Sequence, residues 1–183
     1  MSRIHSELSM ADLLQVYPGA QRALFRQYHI GGCSSCGFRT DETIADICER
    51  NENIPVDEMI TYLEQSEKDD EKMMITPREL AKALKAGTAR LLDIRTQEEF
   101  EAVHLPQAIH FTQELTQQIM GSWPKDEFIA ILDHEGRRSL DAAAYFAGHG
   151  FTQIKAVKGG IDAWSVEVDP EVPRYELEVH DDA

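Results

Sequence analysis

Up to about residue 65, hydrophobic positions recur with helical spacing. After residue 73, short continuous apolar runs alternate with helical stretches. Ser9 is placed to cap a first helix, with Asp12 three positions on and Leu13, Leu14, Val16 and Tyr17 on its apolar face. Pro18 suits the first position of a second helix, which runs through Ala23, Leu24 and Tyr28 and stops at Gly31-Gly32. Thr40 is expected to cap a third helix, with Asp41 and Glu42 placed well against its dipole and Ile44, Ile47 and Cys48 buried. Pro55 opens a fourth, with Met59, Ile60 and Leu63 inward. Four short helices enclose a small core of marginal stability, which a dimer contact, a metal or the second half would reinforce.

In the second part, Thr76-Pro77 starts a helix that ends at Gly87. ARLLDI, AIHF, FIAILD and IKAVKG read as strands. QEEFEAVH, QELTQQIMG, RRSLDAAAYFAGHG and the stretch opening GIDAW read as helices between and after them. Buried strands alternating with helices imply a mostly parallel sheet covered on both faces. The expected fold class is therefore α plus α/β, a small all-helical domain followed by an α/β domain. The boundary is the run Glu64 to Lys72, with seven charges in nine residues. It divides the chain into residues 1–66, a solvated linker at 67–73, and residues 74–183.

The chain has 183 residues, a formal charge of −15 and a pI near 4.8. Such a balance argues against nucleic-acid partners and anionic membrane surfaces, which both select for positive charge. No apolar run approaches the roughly 20 residues of a membrane helix. The opening MSRIHSELSMADLL lacks the apolar core of a signal peptide. Three cysteines are too few for a disulfide scaffold, so a reducing, cytoplasmic setting is expected.

In open parallel sheets, sites lie beyond the carboxyl ends of strands. The richest such end here is F-I-A-I-L-D-H-E-G-R-R-S-L. An apolar strand runs into a turn and then directly into a helix. The turn residues are Asp133, His134, Glu135, Gly136, Arg137, Arg138 and Ser139. Amide groups of such a turn converge into a nest for an anion, reinforced by the helix N-terminus. The carboxylate of Asp133 is the natural occupant, pairing with Arg138. Arg137 and Arg138 could also hold a small anion, or neutralise Asp133, Glu135 and Asp141.

From about Met73 to Tyr175 the chain resembles a rhodanese (sulfurtransferase) domain. The matching pieces are ITPREL, LLDIRTQEEFEAVHLPQAIHF, the loop DHEGRRS against C-x-x-G-x-R-S, and KGGIDAW against G-G-x-x-x-W. The resemblance implies a rhodanese-like α/β fold with a site at the loop. Active members carry a cysteine where this chain has Asp133, and a carboxylate cannot form the persulfide that sulfur transfer requires. The resemblance therefore implies a domain inactive as a thiosulfate sulfurtransferase, a docking or anion-binding module. Val103 and Gln107 replace two family glycines. The loop is one residue shorter than in related phosphatases, so phosphatase chemistry is not expected.

The other candidate is Cys33 and Cys36 in H-I-G-G-C-S-S-C-G-F. Two cysteines so spaced can form a redox pair or share a metal. The segment resembles the DUF1858 type, a small redox-disulfide domain associated with hybrid-cluster proteins, through ADLL, YPGAQRALF, GGCSSCGF and TIADIC. The resemblance implies a redox pair at Cys33 and Cys36. Zinc or an iron–sulfur cluster usually takes four ligands. That set could come from two chains of a homodimer, whereas Cys48 reads as a core residue and His29 as filler. His104, His110, His134, His149 and His180 show no ligand spacing. Trp123 and Trp164 read as packing residues.

Two functions are consistent with these features. One is a thiol-redox or sulfur-relay protein working through Cys33 and Cys36 with a thiol or sulfur-carrier protein partner and no cofactor. The other is a non-enzymatic binding module whose cysteine pair holds zinc or an iron–sulfur cluster.

Overall fold

The computed structural model describes residues 3–31 and 37–175, and its contacts divide the chain into two units, Met1–Lys72 and Met73–Ala183. The first contains helices α1 (Met10–Val16), α2 (Ala20–Tyr28), α3 (Ile44–Arg50) and α4 (Val56–Lys72). Their apolar stripes meet in one core that includes Leu13, Tyr17, Leu24, Ile44, Ile47, Cys48, Met59 and Leu63. The Cys48 sulfur lies 3.5 Å from that of Met59. Burial pushes its thiol pKa up, which disfavours the reactive thiolate. Ser9 caps α1 by accepting from the Asp12 amide.

Three details differ from the sequence reading. Helix α2 starts at Ala20 rather than Pro18 and ends on His29, which adopts the left-handed conformation. The cap of α3 is Thr43, not Thr40. Thr43 and Asp46 form a reciprocal capping box that satisfies two amides at once, which no pairing at Thr40 offers. Asp41 and Glu42 bond instead to Arg39 and Arg50. The third difference is the stretch 67–73, read as a linker, which is helix through Lys72. Asp70 is the reason. It is buried, accepts from the Tyr17 hydroxyl at 2.6 Å and from Arg22 at 2.5 Å, and so draws the last turns of α4 onto the core.

The second unit holds a parallel sheet. Its strands, among the described residues, are β1 (Met74–Ile75), β2 (Arg90–Asp93), β3 (Ala108–His110), β4 (Ile129–Leu132) and β5 (Ile154–Val157), in the order β1-β5-β4-β2-β3. The two-residue β1 carries too little pattern to be read from sequence. Connecting helices are α5 (Pro77–Lys85), α6 (Gln97–Ala102), α7 (Gln113–Ser122), α8 (Arg138–Gly148) and α9 (Gly160–Glu167). Strand alternation sorts side chains to two faces. Leu92, Ile129, Ile131 and Ala156 pack with Ile119, Leu140 and Phe146 of α7 and α8. Leu91, Ala130, Leu132 and Val157 pack with Leu80, Ile161 and Trp164 of α5 and α9. The central strand β4 is buried at every position, which is why it reads as a continuous apolar run. No helix among the described residues is long and apolar enough to cross a membrane.

Removing the Asp70 carboxylate leaves the Tyr17 hydroxyl buried without its acceptor. Asp70→Ala should lower the unfolding free energy of the first unit by about 2 kcal/mol in urea titration. Asp69→Ala, at a carboxylate about half exposed, should leave the urea midpoint unchanged.

Candidate functional site

The chain leaves the centre of the sheet at the carboxyl end of β4 and turns at once into α8. Asp133 is the first residue of this turn and is 3% exposed. Its Oδ1 accepts from the Gly136 amide at 2.7 Å and its Oδ2 from the Arg138 amide at 2.8 Å. Both oxygens therefore meet main-chain donors of the turn, the second at the start of α8, where the helix dipole favours negative charge. The pairing with Arg138 is made by its main-chain N–H, not by the guanidinium expected from the sequence. Gly136 has φ +85°, and a Cβ there would come within 2.6 Å of the Gly159 nitrogen, so the turn requires glycine.

The start of α9 closes the turn from the other side. Ile161 N–H donates to the Asp133 carbonyl at 2.9 Å, and Asp162 N–H to the His134 carbonyl at 3.2 Å. Two orphan amides of α9 are thus satisfied by the loop, and two loop carbonyls by the helix. Gly160 (φ +60°) makes this approach feasible, since a Cβ there would run into those same carbonyl groups. The His134 ring stacks on Tyr175 with centroids 4.4 Å apart. The Nδ1 of His134 and the hydroxyl of Ser139 are buried without a hydrogen-bond partner among the described residues. Glu135 and Arg137 are largely exposed and face each other at 3.9 Å.

Beside the loop lies the end of β2. Asp93 pairs in register with Leu132, and the Ile94 amide donates to the Leu132 carbonyl. Asp93 is fully buried and takes Arg95 through both carboxylate oxygens, the shortest contact being 2.6 Å. Arg95, 3% exposed, also donates to the Val103 carbonyl and to the Tyr175 hydroxyl. That hydroxyl donates onward to Glu99 at 2.9 Å. The buried charge pair is retained because nearly every lone pair and proton around it is matched. Phe100 is stacked between His104 and His110, and His110 Nε2 donates to the Arg95 carbonyl.

The structure thus gathers Asp133, His134, Gly136, Arg138 and Ser139 at one strand end. Glu135 and Arg137 sit on its exposed rim. Cys33 and Cys36 lie outside the described residues. Among the described residues no cluster of three or more His, Cys, Asp or Glu side chains could hold a metal. The Asp93, Arg95, Glu99 and Tyr175 network was not read as part of the site. Its signal was an Asp and an Arg ending an apolar strand in LLDIR, where charge is costly unless paired.

Two predictions arise from this geometry. Asp133→Asn replaces one acceptor by an NH2 group facing a backbone N–H. It should lower stability by about 2 kcal/mol in urea titration, with the loop amides losing protection in hydrogen exchange. The second concerns Glu99, whose carboxyl sits below the usual range. Burial opposes this, but the Thr96 amide, the Tyr175 hydroxyl, the Thr96 hydroxyl and Arg95 outweigh it. A depressed folded pKa contributes stability above the unfolded value of about 4.3, and the contribution is lost as pH falls through the lower folded value. Glu99→Gln should therefore flatten the dependence of the urea midpoint on pH below about 4.3 and leave its slope at neutral pH unchanged.

The rhodanese-like domain family matches residues 76–167. A thiosulfate sulfurtransferase GlpE of Pseudomonas syringae pv. syringae is 32% identical over 88 residues, covering 48% of this chain and 83% of that protein. The adenylyltransferase and sulfurtransferase UBA4 of Candida albicans is 29% identical over 115 residues, 58% of this chain but 26% of the larger protein. Among solved structures, reduced Bacillus anthracis CoADR-RHD aligns with 74% of this chain and 25% of its own, at 19% identity and a TM-score of 0.50, a likeness of fold alone. With the parallel sheet, the strand-end loop and the matched span in agreement, the chain belongs to the rhodanese-like domain family.

Proposed function

We propose that this chain is a cytoplasmic thiol-redox or sulfur-relay protein that works through Cys33 and Cys36. Its rhodanese-like unit serves as a docking or anion-binding module and transfers no sulfur through the loop after β4. The observation that carries the reading is the Asp133 carboxylate, whose two oxygens take the Gly136 and Arg138 amides. In this reading Asp133 stands at the family's cysteine position. Sulfur transfer needs a thiolate that attacks a sulfane sulfur and keeps it as a persulfide. A carboxylate already bonded within the nest has neither the sulfur nor a vacant set of donors. The similarity to a thiosulfate sulfurtransferase supports sulfur handling as the chemical context.

The relay would run as follows. One thiolate of the pair attacks the outer sulfur of a donor persulfide or of thiosulfate, that S–S bond breaks, and the donor leaves as thiolate or as sulfite. The second thiolate then attacks the persulfide's inner sulfur and releases hydrosulfide, forming the Cys33–Cys36 disulfide. A partner dithiol protein reduces that disulfide and becomes oxidised itself.

The test is thiocyanate formation from thiosulfate and cyanide. A chain carrying both Cys33→Ser and Cys36→Ser should give only background turnover. Adding Asp133→Cys to it should raise turnover at least about tenfold above that background, since the nest would then hold a thiolate. Wild-type turnover that survives loss of both cysteines would assign sulfur transfer to the loop and overturn the reading. Elemental analysis decides the cysteine pair: about half an equivalent of tightly held zinc or iron per chain would replace the redox role by metal binding.

A further inference from the structure

The family match ends at residue 167, and beyond it the chain returns to the loop at Tyr175. We propose that residues 169–175 are a releasable strap that closes over the Asp133 loop, with Tyr175 as its latch. Release of this segment would set how readily the Gly136 and Arg138 amides become available to an anion or a partner group.

Side-chain bonds and apolar contacts hold the strap, the latter from Val172 and Tyr175 on the core around Ile161 and Trp164. Ser165 in α9 donates from its hydroxyl to the Val172 carbonyl at 2.5 Å. Arg174 makes a two-point contact with Asp162, at 2.6 and 2.9 Å. Tyr175 covers the His134 ring, while its hydroxyl accepts from Arg95 and donates to Glu99. The segment therefore grips the loop residue that follows Asp133, the end of β2 and the helix that closes the loop. Pro170 and Pro173 fix two backbone φ angles and remove two amide donors. Such a chain loses little entropy on docking and does not join the sheet.

The attachments are also ones that can let go. The Arg174–Asp162 pair is well exposed, at 60% and 30% side-chain exposure, so solvent competes for it. When Tyr175 leaves, Arg95 keeps both oxygens of Asp93 and the Val103 carbonyl, and Glu99 keeps its bonds to Thr96. Opening the strap thus strands no buried charge. In the closed arrangement His134 Nδ1 is buried without a partner among the described residues, a cost of the kind that opening to water removes. The apolar contacts of the strap come from Val172 and Tyr175, partly buried side chains packed on the core around Leu80, Ile161 and Trp164.

Residue-resolved amide hydrogen exchange on the full chain tests the strap without relying on sulfur transfer, so it stands or falls apart from the proposed function. In Tyr175→Ala the Gly136 and Arg138 amides should exchange at least about tenfold faster than in wild type, while Ile131 and Ala156 in the core strands keep their rates. Tyr175→Phe retains the ring, carries little risk to folding and removes both hydroxyl bonds. It should accelerate the same two loop amides about two- to fivefold, again with core rates unchanged. Ser165→Ala, which frees Val172 at the base of the strap, should act in the same direction. Loop rates that stay at the wild-type value in Tyr175→Phe and Ser165→Ala would overturn the proposal. So would loop and core rates rising together in those two variants, because the segment would then be an ordinary part of the fold.

Discussion

The negative charge of Asp133 and the ring of main-chain donors around it set the terms for the rest of this unit. A parallel sheet delivers the β4 backbone to its carboxyl edge, and an immediate turn into α8 leaves several amides with no partner in either element. Such a cluster calls for an anion. Here the chain supplies one from its own first loop residue, at 2.7 and 2.8 Å. The first turn of α9 then uses the loop carbonyls as its cap, and Gly136 and Gly160 are the positions where backbone must come too close for a side chain. Loop, α8 and α9 are in this way one hydrogen-bonded assembly.

The neighbouring strand end solves a similar problem by other means. Asp93, pointing from β2 into the interior, is matched by the guanidinium of Arg95 rather than by amides. Taking two charges out of water is tolerable because the fork of Arg95 also reaches the Val103 carbonyl and the Tyr175 hydroxyl. The two strand ends lie side by side through the β2–β4 pairing, so an internally neutralised pair sits next to an internally neutralised nest. Family membership fixes the scaffold on which this happens. It does not fix the chemistry, which depends on the group at the head of the loop.

Much of the fold was legible in local patterns. The continuous apolar run at Ile129 to Leu132 announced a central buried strand, because a strand covered on both faces has no polar alternation. Thr76-Pro77, and Ser9 with Asp12, announced helix starts, because proline suits the first helical position and a capping bond spans three residues. Thr40 misled because Thr43 lies three residues on with the better partner in Asp46. The candidate loop was also legible, since a strand, a glycine turn and a helix start follow one another without interruption.

What the chain determined by itself was therefore the identity and order of its elements, the two-residue β1 excepted, and the charge placed at the head of the loop. Both follow from periodicity and from contacts a few residues long. Tertiary structure alone decided that α4 runs to Lys72, that Asp133 bonds to the Arg138 amide rather than its guanidinium, and that Tyr175 returns to the loop. These outcomes rest on pairs such as Tyr17 with Asp70 and Arg95 with Tyr175, separated by 53 and 80 residues. A buried polar group takes whichever partner folding brings within reach, and no local pattern records that partner.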